Sequence, residues 1–150
     1  MNKKTNIIFV VCIAIFLSSC VAWHSGVTPV YPPGKKTIPA PKVNSLTPTL
    51  KWESLNIKDS TGKVTGIRYE IIIYTISGFH AEHKIAYQKD DIAETSHTVS
   101  TPLQPSTRYF WRIRAKYKQN GDKATGEWNG FSYVAPTQYE GGKPYFFDTP

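Results

Sequence analysis

Residues 103–116 read LQPSTRYFWRIRAK, and no other stretch constrains the fold as strongly. Tyr109, Trp111, Ile113 and Ala115 fall on one side of an extended backbone. Arg112, Arg114 and Lys116 fall on the other, with Phe110 the one apolar exception. Successive side chains of a strand point to opposite faces, so this alternation predicts a strand with one face in a core and one face near water.

The lead-in carries a second signal. Leu103, Pro105, Thr107 and Tyr109 form an L-x-P-x-T-x-Y pattern. It resembles the tyrosine corner of fibronectin type III domains, where the tyrosine at the start of a strand turns its hydroxyl back onto upstream backbone. The resemblance implies a structural role for Leu103, Pro105, Tyr109 and Trp111.

The chain has 150 residues, the length of one ordinary domain. Its first twenty residues read as an export signal. Lys3 and Lys4 form a basic start, residues 7–17 are apolar, and L-S-S-C closes the segment at Cys20. The apolar run is shorter than the ~20 residues that span a bilayer, which favours a cleaved signal over an anchor helix. The segment resembles the lipobox of bacterial lipoproteins. That resemblance implies cleavage before Cys20, a diacylglycerol on its thiol and an acylated amine. Residues 1–19 are then a lipoprotein signal peptide. Val21 stands where an Asp looks like the retention signal of enteric bacteria, so the outer membrane is expected over the inner.

The only thiols are Cys12 and Cys20. Cys12 leaves with the signal, and the expected processed chain relies on its core rather than on disulfides. The formal charge is +7, two units of which, Lys3 and Lys4, leave with the signal. Basic residues are scattered, with no run of five. This fits a solvated surface and leaves anionic partners open, whereas an export signal argues against nucleic acid.

Residues 20–37 carry the lipidated cysteine and then a proline- and glycine-bearing stretch without periodicity, read as a tether. Trp23 and Tyr31 have the amphipathic rings that suit a membrane interface. The folded domain is expected over residues 38–150. Residues 38–43 read as an edge strand interrupted by Pro39 and Pro41. In TPTLKW, Leu50 and Trp52 share a face, and Trp52 is the expected centre of a core. RYEIIIYTI, residues 68–76, is the next strand, with Tyr69, Ile71 and Ile73 inward. Short strands are expected at 84–88 and 97–99. Residues 119–126 read as a hairpin connection, and a return strand is expected from Trp128 to Val134. Tyr139, Tyr145, Phe146 and Phe147 are more aromatics than a disordered tail holds, so some should pack on the domain or add an edge strand.

About seven short strands with no amphipathic helix beyond the signal describe an all-β antiparallel β-sandwich. The order TPTLKW, YEIIIY, LQPSTRY, YFWRIRA, GEWNGFSY is similar to bacterial fibronectin type III modules, within the wider immunoglobulin-like class.

Catalytic chemistry finds little footing. His80 and His83 with Glu82 between them do not make an H-E-x-x-H motif, and a zinc site needs three or four ligands, so no metal and no cofactor are expected. His97 faces inward on its strand and suits a packed or hydrogen-bonded role. Asp90 and Asp91 are adjacent rather than opposed across a cleft. No G-x-S-x-G elbow occurs, and Gly141-Gly142 is a turn signal. The chain is not expected to be an enzyme.

Binding is the expected function. Fibronectin topology sets the strands of 68–76 and 109–116 side by side. Their outward residues, Ile72, Tyr74 and Ile76 beside Phe110, Arg112 and Arg114, would form one patch of the types enriched at interfaces. Either a partner or the aromatic tail should cover it. The expectation is a lipid-anchored module of the bacterial envelope that recognises a protein or glycan through a sheet face or an edge strand. A carbohydrate-binding module or an accessory subunit of an envelope or secretion complex is the alternative.

Overall fold

A computed structural model describes residues 26–33, 39–55, 57, 62–77, 82–129 and 145–150. Cys20 and the signal segment, Trp23, His24, His80, residues 131–134 and Tyr139 lie outside the described residues.

Among the described residues eight strands run in order: β1 (Pro29–Tyr31), β2 (Thr49–Trp52), β3 (Val64–Ser77), β4 (Glu82–Ile92), β5 (Ser96–Thr98), β6 (Arg108–Gln119), β7 (Asp122–Thr125) and β8 (Tyr145–Asp148). No helix occurs among the described residues. A small antiparallel sheet has the order β1-β2-β5, and a larger one the order β4-β3-β6. The far edge of β6 is shared: β8 pairs with Arg108 to Trp111, and β7 with Lys116 to Gln119. The two sheets face each other across one core, a sandwich-like all-β architecture.

The core follows from the alternation. Tyr109, Trp111, Ile113 and Ala115 of β6 are buried with Tyr69, Ile71 and Ile73 of β3. Leu50 and Trp52 meet them from β2, and the Trp52 and Tyr69 rings sit edge to face at 5.4 Å. Tyr145 and Phe147 of β8 complete the layer, so the aromatic tail does add an edge strand.

The corner has the expected geometry. The Tyr109 hydroxyl accepts the Gln104 N–H at 3.0 Å, and buried Leu103 donates its N–H to Leu46 O at 2.8 Å. Pro105 is exposed and shapes the turn. Thr149 fastens the corner from the far end of the chain. Its hydroxyl donates to Gln104 O at 2.7 Å and accepts the Thr107 N–H at 2.9 Å.

Four expectations need correction. Residues 26–33 belong to the fold rather than to a tether. Pro29 and Tyr31 pair with Trp52 and Lys51, and Val27 and Pro32 are buried. The expected first strand at 38–43 is reduced to one parallel bridge between Lys42 and Asp148. Pro39 and Pro41 lack an N–H, and Pro41 contributes only its carbonyl, to Asp148 N at 2.9 Å. The strands β3 and β4 are longer than expected, because a hairpin partner extends pairing beyond the apolar run. The chain starts back along β6 as β7 at Asp122, inside the expected connection, and Trp128 is not in a strand; the expected return strand beyond Asn129 lies outside the described residues. A tight turn at Asn120 and Gly121, both at positive φ, reverses the chain early.

Candidate functional site

The outward sides of β3, β4, β6 and β8 make one surface, and every member of the expected patch that is described lies on it. Register sets Ile72 opposite Arg112, Tyr74 opposite Phe110 and Glu70 opposite Arg114. These residues are therefore co-facial, as the alternation requires. On the β4 side, Gln88 pairs with Ile72, Ile85 with Tyr74 and His83 with Ile76.

The middle of this face is dry. Ile72 is 6% exposed and Tyr74 3%, although neither belongs to the core between the sheets. Ile76, Phe110, Arg112 and Arg114 are half-buried. Tyr74 stacks on Phe110 at 5.9 Å and lies 4.8 Å from the His83 ring; Phe110 meets Phe146 of β8 at 6.0 Å. Thus one residue of the aromatic tail does reach this face, while its neighbours Tyr145 and Phe147 point into the core. Burial raises the Tyr74 phenol above its ordinary pKa, against a smaller opposing pull from Arg112.

Arginines cover the rings. The Arg112 guanidinium lies 5.7 Å from the Tyr74 ring and 4.7 Å from that of Trp128, and Arg114 lies 4.3 Å from Trp128 on the same face. At one end Arg108 lies 5.4 Å from Phe146 and forks onto Asp148, with Nε to Oδ1 at 2.8 Å and Nη2 to Oδ2 at 3.0 Å. Such stacking favours arginine over lysine, and the long stems seal apolar surface beneath them. The Nε of Arg112 is buried without a hydrogen-bond partner.

Glu70 is the one buried carboxylate among the described residues, 4% exposed. Arg114 reaches its Oε2 at 2.7 Å and Lys116 at 3.2 Å, while Gln88 donates to its Oε1 at 3.0 Å. Burial alone would push its pKa up. The hydrogen bonds from Arg114 and Lys116 and the guanidinium charge outweigh that and hold it below the ordinary carboxylate value. Lys116 also bridges to Asp90 at 2.7 Å. Each ion has a partner, so the cluster ties β3, β4 and β6 together.

The rim differs. Among the described residues β4 is the outermost strand of its sheet, and most of its side chains are exposed. Ile85 is 56% exposed, the largest value for a large apolar residue among those described. A register shift between Ile73 and Tyr74 kinks the ladder there and turns Ile85 to the same side as Tyr74, whereas Tyr87 faces the core. Tyr87 bonds His97 Nε2 at 2.7 Å, linking the two sheets, and burial lowers the His97 pKa, followed by the charge of Lys89.

Phe146 belongs to the tail expected to cover this face, whereas Trp128, Glu70 and Ile85 are not among the expected patch residues. Ile85 is hidden by the register shift in its ladder, and Trp128 by its expected place in a strand. Glu70 carried a readable signal: it alternates with Ile72 and Tyr74 on a strand that pairs with three basic residues. Trp52, Leu103, Tyr109 and Trp111 are structural and buried, as expected. Compared with known proteins, the chain matches no family model, no curated protein and no solved structure.

Proposed function

We propose that this chain is a lipid-anchored, non-catalytic recognition module of the bacterial envelope, with a fibronectin type III-like sandwich that binds a protein partner along β4. The anchor reading rests on the basic start, the apolar run and L-S-S-C ending at Cys20. The fibronectin reading is supported by the Tyr109 hydroxyl on Gln104 N and by the side-by-side arrangement of β3 and β6.

The observation that carries the binding reading is β4 itself, an eleven-residue edge strand bearing exposed Ile85. An open edge offers backbone donors and acceptors to an extended segment, and neighbouring side chains select which segment docks. Lys84, Lys89, Asp90 and Asp91 along it discourage indiscriminate pairing. A sugar ring would need bare aromatic faces, and here Arg112 and Trp128 lie over the outer face, so protein recognition is the better-supported reading.

The experiment is affinity capture from native envelopes, parent chain against an Ile85→Glu, Lys84→Glu variant, with bound proteins identified by mass spectrometry. One partner lost from the variant at unchanged melting temperature is the expected outcome. Identical captured sets would remove β4 from the proposal.

A further inference from the structure

The smaller sheet carries an exposed apolar pair at its edge. β1 is the outer strand of the order β1-β2-β5. In a regular strand Val30 and Tyr31 would point to opposite faces, and one of them would be buried. The register shifts between Pro29 and Tyr31 instead, from Pro29 opposite Trp52 to Tyr31 opposite Lys51. Both side chains are consequently outside, Val30 at 50% and Tyr31 at 39%, while flanking Pro29 and Pro32 are buried. A bulge of this kind re-aims side chains and spoils the edge for strand pairing. Lys51 is exposed beside Tyr31.

The position of this edge in the chain says what it meets. Val27, buried at 2%, is the seventh residue after Cys20. Seven residues span at most about 25 Å when fully extended. A domain of this size is about 35 Å across by the scaling of compact chains. A link shorter than the body keeps the domain within one of its own diameters of the anchor. The end of the sandwich that receives the link, with β1 beside it, stays within reach of the surface. Two apolar side chains are too few for a stable protein–protein interface. They suit a headgroup layer, where tyrosine is favoured and a lysine adds attraction to anionic lipid.

We propose that β1 is a membrane-contact element, with Val30, Tyr31 and Lys51 resting on the anionic headgroup surface of the bilayer that holds Cys20. This inference rests on the acylation of Cys20 proposed above. It orients the domain with the smaller sheet's edge down and leaves β4, on the other sheet, for a partner.

The test supplies the anchor chemically. Residues 20–150 contain Cys20 as their sole thiol. That processed chain is coupled through maleimide to phosphatidylethanolamine in vesicles that also contain phosphatidylglycerol. The control is the same chain capped with N-ethylmaleimide in solution. Amide exchange of β1 and β2 should slow about tenfold on the vesicles, with β4 unchanged. Val30→Ser with Tyr31→Ser should abolish the slowing, and Lys51→Glu should weaken it on anionic vesicles, each at an unchanged melting temperature of the capped chain. Equal exchange on vesicles and in solution overturns the proposal. So does concentration-dependent protection of the capped chain, which would assign the pair to a second copy. Acylation is read separately, from the mass of the native N-terminal peptide. An unmodified Cys20 would end the anchor reading without altering what the vesicles report.

Discussion

The two faces of β3 are equally dry and differently made. On the inner face Tyr69, Ile71 and Ile73 meet Trp52, Trp111 and Ile113, aliphatic and aromatic groups from two sheets. On the outer face Glu70, Ile72 and Tyr74 are just as buried, among Gln88, Phe110, Arg112 and Arg114. The inner face excludes water by packing layer on layer. The outer face excludes it by laying long amphipathic side chains flat over one layer. The first mode derives its strength from volume filled, the second from charges and rings held in register.

That difference gives a graded series. Trp111→Ala empties the inner core and should cost about 3–5 kcal/mol in chemical denaturation, with Phe110→Ala, its outward neighbour, costing less than half as much. A comparable loss at both positions would mean that the outer face is a core in its own right. Glu70→Ala should cost about 1–3 kcal/mol, since it strands Arg114 and Lys116 without their shared acceptor.

The sign with pH follows from the same residue. The Glu70 pKa is lowered in the folded chain, so its contribution is fully present above the unfolded carboxylate value, about 4.3, and is lost as pH falls through the lower folded value. Glu70→Gln should flatten that part of the acid limb of a stability profile; an unchanged limb would assign it to Asp90 or Asp148 instead, whose pKa values are also held down by basic partners.

Tyr109→Phe keeps the ring and removes the acceptor for Gln104 N, at about 1–2 kcal/mol. Arg108→Ala, next in sequence but exposed, should cost under about 1 kcal/mol despite its fork onto Asp148, because exposed pairs are screened. Equal midpoints for these two variants would demote the corner.

What could be read in the sequence was whatever repeats with period two. The inward set of β6, the shared face of Leu50 and Trp52, and the outward row of Ile72, Tyr74, Phe110 and Arg112 all follow from alternation alone. The corner was legible because Leu103, Pro105 and Tyr109 act within one local turn. Pairings set by distant chain were not legible. Nothing near Thr149 announces that it bonds Gln104, and nothing in residues 29–31 says that a bulge will expose both Val30 and Tyr31. Proline spacing suggested a tether there, yet an edge strand tolerates proline, and the buried neighbours Val27 and Pro32 anchor it. Glu70 interrupts an apolar run, and the partners that account for it lie 44 and 46 positions later.

The shared edge of β6 has a consequence for the order in which the domain can be built. Its half from Lys116 to Gln119 is paired locally, by β7 after a tight turn. Its half from Arg108 to Trp111 waits for Tyr145 to Asp148, and the corner waits for Thr149. Contacts of such long sequence separation form late and slowly. A chain that emerges amino terminus first therefore cannot finish its larger sheet until residues 145–150 are free to pair, and that segment acts as the latch.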